Sequence, residues 1–403
     1  MYKFILGIAL CLFPLCFAAE VGEPEALYLT WSGDPRTTML VSWITLGQEC
    51  NGSIVNYQKI GDHKWLQAGG TAIPIPEGFD EYFLHQVEIT NLHPNTDYRF
   101  RAGCEAKVYT FRTMPKNHTQ PIRFVVGGDI YHDSIEAMEE TTRHAALYSP
   151  SFALLGGDLA YSADKDTRRP DDFKRYLTFL KMWKQTMITQ RGHMVPILAT
   201  TSNEDTKGRY NRTKADAPIF YTLFRRGGQE EAYRVVDFGS YMSIWLLDSG
   251  HTNPIAGKQT DWLRATMSER RNVPLKYAIY HVPSYPSTRK KNEEVSSLMR
   301  NNWLPIFEEF GVKVGFEHHD HAYKRTFKIK NGKKNESGPF YMGDGGWGVS
   351  NPRKPMDPSQ EWYLVKTAQK RHFIVATVRD KIQTYQAVDH MGVVFDEVRE
   401  ESE

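Results

Sequence analysis

The sequence predicts two units in tandem, a small all-β sandwich followed by a larger α/β domain, and three observations carry that reading. Short alternating apolar runs fill residues 25–115, with no helical period between them. Beyond residue 121 the apolar runs become continuous and alternate with amphipathic segments of helix length. The length of 403 residues also exceeds one ordinary core, at roughly 100–200 residues per domain. Hydrophobic residues make up 40% of the chain and charged residues 24%, which supplies two packed cores and excludes a disordered chain. The formal net charge of +2, with both signs interspersed, gives no electrostatic footprint for a polyanion and argues against nucleic acid as a partner.

Taken in order, residues 1–18 read as a secretory signal. Lys3 precedes an apolar run from Phe4 to Phe17, and the small residues Cys16 and Ala18 stand three and one positions before a cleavage point ahead of Ala19. Pro14 interrupts the run, which is shorter than the ~20 apolar residues of a membrane span. The expectation is a secreted or periplasmic protein with no stable membrane insertion. From Glu25 the runs "ALYLTW", "TMLVSWIT", "SIVNYQ", "HQVEIT", "DYRFRAG" and "KVYTFRT" are separated by turn formers such as Ser32-Gly33-Asp34-Pro35. Six or seven strands in about 90 residues predict a sandwich of immunoglobulin or fibronectin type III kind, placed at 24–115. Cys50 follows the second strand and Cys104 sits in the turn between the last two. Both lie near one pole of such a sandwich, and in an oxidising compartment they are expected to pair.

The polar stretch "MPKNHTQP" links the sandwich to the second domain, placed at 121–398. Its strands are expected in "IRFVVGGD", "FALLGGD", "VPILATTSN", "YMSIWLLDS", "KYAIYH" and "VKVGFEHHDH", because strands buried on both faces read as continuous apolar runs. Helices are expected over 134–148, 173–189 and 259–271. A further helical period through Val295, Leu298, Met299, Trp303, Ile306, Phe307 and Phe310 should kink at Pro305.

In open α/β sheets ligands gather at the carboxyl ends of strands, and the polar residues concentrate there: Asp129, Asp158 with Tyr161, Asn203, His281, then His319 and His321. One such residue alone is usually a cap or a turn former; five successive strand ends are not explained by capping. "GFEHHDHAYKRT" packs three of the chain's 14 histidines around Asp320. If that run is extended, His319 and His321 point one way and Asp320 the other, so both imidazoles reach one centre. Carboxylates with a phenolate suit Fe(III), whereas an amide with imidazoles suits a divalent ion. Two metals of different preference are implied.

"GGD" at 127–129, "GDLAY" at 157–161, "SNED" at 202–205, "YHVP" at 280–283 and "HHDHAYKR" at 318–325 resemble, in order, the five blocks of the purple acid phosphatase family of metallophosphoesterases. "YMGDGG" at 341–346 and "LYLTWSGDPRTTMLVSWIT" extend the match, the latter to that family's fibronectin-like N-terminal domain. The resemblance implies a layered β-sandwich flanked by helices for the second domain. It further implies that Asp129, Tyr161 and His321 hold Fe(III), that Asn203, His281 and His319 hold divalent iron, zinc or manganese, and that Asp158 bridges them. The implied activity is hydrolysis of small-molecule phosphate esters.

Departures lie outside that ligand set. Tyr131 stands where the family keeps a glycine, Glu204 replaces a phosphate-contacting histidine, His318 replaces a glycine, and "YPSTRKKNEE" follows the fourth block in place of a histidine-bearing stretch. Glu204, His318 and His132 are the candidate proton donors or substrate contacts, with Arg289, Lys290 and Lys291 as candidate cations. An ionised Glu204 would repel phosphate. The competing readings are an exported metal- or phosphate-binding protein without turnover and an adhesion module built on the sandwich. Oligomeric state is not legible from the sequence.

Overall fold

The computed structural model describes residues 24–47, 52–104, 106–163, 171–225, 230–343 and 345–401. The expected signal at 1–18, and Cys50, lie outside the described residues. Cys104 is disulfide-bonded.

The first unit is a sandwich of two four-stranded sheets. One contains β1 (Ala26–Thr30), β2 (Met39–Leu46), β5 (Thr71–Ile75) and β6 (Phe79–Ile89); the other contains β3 (Ile54–Lys59), β4 (Leu66–Gly69), β7 (Asp97–Ala102) and β8 (Tyr109–Arg112). Strands β4 and β5 escaped the sequence pattern because they are short and largely exposed, with no alternation to betray them. β1, by contrast, is buried along its whole length. Leu27 and Leu29 enter the core between the two sheets, while Ala26 and Tyr28 belong to a second apolar cluster formed with helices of the following domain. The Tyr28 hydroxyl donates to the Leu223 carbonyl at 2.5 Å, and Trp31 meets Phe152 and Phe238 edge-on at 6.0 and 5.8 Å. The sandwich is thereby joined to the second domain through the outer face of one sheet, and the other sheet adds β8, where the Thr110 carbonyl accepts from the Met194 amide at 2.8 Å.

The second domain is two sheets face to face. The first runs in the order β11 (Ile197–Ala199), β10 (Phe152–Leu155), β9 (Ile122–Gly127), β21 (His372–Arg379), β22 (Ile382–Asp389), β23 (Val394–Glu401). The second runs β12 (Arg234–Phe238), β13 (Met242–Leu246), β14 (Leu275–Ile279), β15 (Val314–Glu317), β19 (Phe340–Gly343), β16 (Tyr323–Thr326), β20 (Leu364–Ala368), with a separate hairpin of β17 (Ile329–Lys330) and β18 (Lys333–Lys334). β9, β10 and β11 are parallel, as are β13, β14, β15 and β19. Between the sheets Phe124 stacks on Phe152 at 4.9 Å and meets Tyr277 edge-on at 5.6 Å.

Helices α1 (Ile135–Leu147), α2 (Phe173–Thr186) and α3 (Pro218–Phe224) cover one outer face. Helices α4 (Thr260–Glu269), α5 (Glu294–Asn302) and α6 (Leu304–Phe310) cover the other. The result is a helix, sheet, sheet, helix layering in which β9, β10, β14 and β15 are buried on both faces, as their apolar runs require. The antiparallel β21–β23 went unread in the sequence. Pro305 does more than kink: it occupies the first turn of a new helix, where its missing N–H costs no bond. Among the described residues no helix is long and apolar enough to cross a membrane.

Candidate metal centre

Five of the seven candidate ligands follow the carboxyl end of a strand on a left-handed backbone. Asp129, Asp158, Tyr161, His319 and His321 all have positive φ, between 49° and 75°. Side chains other than glycine rarely adopt that conformation, and strain of this kind persists where surrounding structure enforces it and clusters at functional sites. It also corrects the geometry expected for residues 318–322. The segment is a series of bends rather than an extended strand. His319 and His321 converge because both are left-handed, and Asp320 turns away to accept from the Ser287 and Thr288 amides at 2.7 and 2.8 Å.

Two groups form, and they share one carboxylate. Asp129, Asp158 and His321 offer ligand atoms within 4.8 Å of one another, as do Asp158, His281 and His319. In the first group the Tyr161 hydroxyl lies 2.8 Å from Asp129 Oδ1 and 3.1 Å from His321 Nε2. In the second, His281 Nε2 lies 3.0 Å from Asn203 Oδ1, 3.1 Å from His319 Nδ1 and 3.3 Å from Asp158 Oδ1. The Nδ1 of the same ring lies 2.8 Å from the Gly156 carbonyl, and a carbonyl can only accept, so Nδ1 carries the proton. The lone pair of Nε2 then faces the lone pairs of an amide oxygen and a carboxylate. Such convergence of acceptors calls for a cation at their centre.

A proton at Nε2 competes with a cation for that place: burial opposes a charged His281, but Asp158 outweighs it and pushes the ring up to about 9, so a metal ion bound at Nε2 would displace that proton. Burial also opposes the ionised Asp158, and the charge of His281 overrides it to hold the carboxyl well below its usual range. The Tyr161 phenol is driven well above its ordinary value by burial, then by Asp129 and Asp158, so a phenolate there needs a strongly charged cation beside it. The seven residues therefore fit a pair of metal ions.

Supporting contacts come from Ser202, Asp205 and Gly345, which the sequence did not single out, and from the backbone of Glu204. Ser202 Oγ accepts from the Asp158 amide at 2.6 Å and donates to Asp205 at 2.6 Å. Asp205 also accepts from Tyr176 at 2.7 Å, and burial followed by Asp158 pushes its carboxyl up to about 6. The Glu204 amide donates to Asp158 Oδ1 at 3.0 Å. Gly345 presses against the site: a Cβ there would lie 2.0 Å from Asp129 Oδ2.

The outer candidates separate. His318 is not at the surface of the site; it is 1% exposed, packed over Gly128 and Gly156, with neither ring nitrogen hydrogen-bonded to a described residue. The room left by those two glycines is filled by this ring, and a buried imidazole has no route to a substrate. His132 is partly exposed with its Nδ1 beside Asp133; burial, then His321, holds its ring below the ordinary value despite that carboxylate, and it meets Tyr161 and His321 edge-on at 4.8 and 4.5 Å. Glu204 does not stand as an isolated anion, because Arg209 donates to its Oε1 at 2.7 Å. Arg289 is drawn to Asp320 at 3.1 Å, Lys291 stands 3.9 Å from Glu361, and Lys290 is exposed. Tyr131 turns against α2, under the Arg175 guanidinium at 4.2 Å. No pattern in the sequence marked Arg209, which reaches Glu204 through its own left-handed backbone.

Two facing sheets with helices outside, and a shared carboxylate at the strand ends, define the metallophosphoesterase class. Within that class the chain is similar to the purple acid phosphatases. The family model for the purple acid phosphatase N-terminal domain matches residues 24–113. The chain is 27% identical over 360 residues to "Purple acid phosphatase 18" of Arabidopsis thaliana, covering 87% of this chain and 77% of that one. It is 22% identical to "Acid phosphatase type 7" of Homo sapiens, covering 84% and 77%. Its fold matches the purple acid phosphatase PPD1 from yellow lupin seeds with a TM-score of 0.73 at 14% identity, over 93% of this chain and 73% of that one.

Proposed function

We propose that this chain is an exported phosphohydrolase of acid phosphatase type that cleaves small-molecule phosphate esters at a dinuclear centre of Fe(III) and divalent iron, zinc or manganese. The observation that carries the reading is the sharing of Asp158 by two ligand groups, supported by its acid phosphatase relatives. Residues 24–115 would form the fibronectin-like domain and 121–398 the catalytic one. The disulfide at Cys104 supports export, since such bonds persist in oxidising compartments.

In this reading Asp129, Tyr161 and His321 would hold the ferric ion and Asn203, His281 and His319 the divalent one, with Asp158 available to both. Bound there, the two ions lower the pKa of water and polarise the phosphoryl oxygens. The rest falls to the protein. Gly156 fixes the His281 tautomer, and Ser202, Asp205 and the Glu204 amide fix Asp158. His132 is the leaving-group proton donor: of the three outer candidates it alone combines partial exposure with ring contact to the ligands Tyr161 and His321. Glu204 accepts from Arg209 and from the Asn203 side chain.

The test is hydrolysis of p-nitrophenyl phosphate by the metal-loaded protein, with and without a chelator. Chelator-sensitive turnover is expected. Loaded protein that binds inorganic phosphate without turnover would favour the binding-protein reading, which the replacement of a phosphate-contacting histidine by Glu204 motivates.

A further inference from the structure

Arg209 lies on a loop whose backbone is fixed without help from its side chain. Asn211 and Arg212 donate to the Gly250 and His251 carbonyls at 2.9 and 2.8 Å. Across the same junction His251 Nδ1 lies 3.0 Å from the Arg209 carbonyl, and Tyr210 stacks on the His251 ring at 4.9 Å. Even so, Arg209 itself is held at φ 74°, a conformation that costs a non-glycine residue free energy and recurs at ligand clamps. The outcome of that turn is to bring the guanidinium to Glu204. There it donates from one terminal nitrogen to Oε1 at 2.7 Å, and the same oxygen accepts from the Asn203 amide at 2.9 Å.

Two features separate this arrangement from a surface latch. A latch between arginine and a carboxylate is strongest as a two-point fork; here Nε, though buried, donates to no described residue, and the side chain stays 37% exposed. The second is position. Glu204 is the neighbour of candidate ligand Asn203 and donates its amide to the shared Asp158. The guanidinium therefore stands at the rim of the ligand cluster with donor capacity in reserve.

We propose that Arg209 is a phosphate-binding residue of this site, donating to the nonbridging oxygens of the substrate phosphoryl group, and that Glu204 is the positioning residue that holds it there. The inference rests on the phosphate-ester reading above. It also resolves the anion problem posed by Glu204, whose charge is used to aim a cation rather than to face the substrate.

The experiment is phenylglyoxal modification of the metal-loaded protein with and without saturating inorganic phosphate, followed by peptide mass analysis. Arg209 is expected to be protected several-fold by phosphate. In Arg209→Met the KM for p-nitrophenyl phosphate and the inhibition constant for phosphate should both rise about ten- to hundredfold, the range of a lost hydrogen bond to a charged group, with metal content unchanged and kcat less affected. Glu204→Gln should show the same split with a smaller change. Equal modification of Arg209 with and without phosphate overturns the proposal, as does Arg209→Met with unaltered constants or with lost metal, which would make the pair a support for Asn203. If Arg209→Met does not fold, the protection experiment on the unaltered protein still decides. A loaded protein that turns over no ester sinks the phosphohydrolase reading alone, because protection by phosphate scores Arg209 independently.

Discussion

Adding one methyl group at Gly345 should remove half of the proposed centre while leaving the fold standing. The Cβ of Gly345→Ala would lie 2.0 Å from Asp129 Oδ2, 2.7 Å from Asp129 Cγ and 2.6 Å from the His319 amide, where real Cβ atoms essentially never approach within 3.0 Å. Something must shift by about 1 Å, on the scale that can cost a site ~100-fold in rate. The neighbours have little freedom. Asp129 Oδ1 is 2.7 Å from His321 and 2.8 Å from Tyr161, Oδ2 accepts from the His319 amide at 3.2 Å, and the Asp129 carbonyl accepts from Gly348 at 2.9 Å. The left-handed φ of 74° adds about 1–2 kcal/mol for alanine, enough to lower the melting temperature by a few degrees without unfolding a chain of this size. The assay is metal content per chain, with thermal unfolding and p-nitrophenyl phosphate turnover as companions. We expect about one ion in place of two and a loss of turnover of ~100-fold or more. A folded Gly345→Ala protein with unaltered metal content and turnover would refute the placement of Asp129 as a ligand.

Other outcomes follow from single contacts. If Tyr161 binds Fe(III) as a phenolate, the oxidised iron-loaded protein is violet and Tyr161→Phe loses that colour; an unchanged spectrum in the variant removes the phenolate assignment. Cys104 is expected to pair with Cys50, so alkylation without reduction should label neither, and two labelled thiols would exclude the bond. His85 is 2% exposed, stacked on Trp43 at 5.0 Å, and burial pulls its ring down to about 4. In the unfolded chain it titrates near 6.5, so between those values the unfolded state binds the extra proton. Its contribution is present above pH 6.5 and lost as pH falls toward 4. Melting curves of the protein and of His85→Gln should therefore show a steeper acid loss in the former; parallel losses would contradict a buried neutral ring.

Much of the site was legible because chemistry concentrated where α/β topology puts ligands. Asp129, Asp158, Tyr161, Asn203, His281, His319 and His321 each follow an apolar run, and the structure gathers all of them. Why they converge was not legible. Period-two reasoning assigned His319 and His321 to one face of a strand; the backbone in fact achieves the same convergence through left-handed turns, which leave no periodic trace. His318, beside two candidate ligands, read in the sequence as a substrate contact, yet whether an imidazole faces solvent or fills the gap over Gly128 and Gly156 depends on contacts 190 and 162 positions away in the chain. Arg209 and Asp205 were passed over for a related reason: their partners are chosen by turn conformation and by α2. The sandwich was recognised by its alternating strands, but the continuous burial of β1 made sense only once α2 and α3 were seen on its outer face.

The central claim is that one carboxylate, Asp158, serves two metal ions. It is tested most directly by counting metal in the purified protein, reconstituted with iron and zinc and freed of excess ions by gel filtration. The account predicts two ions per chain, one of them ferric. A chain that retains one ion or none, while folded and disulfide-bonded, would contradict it.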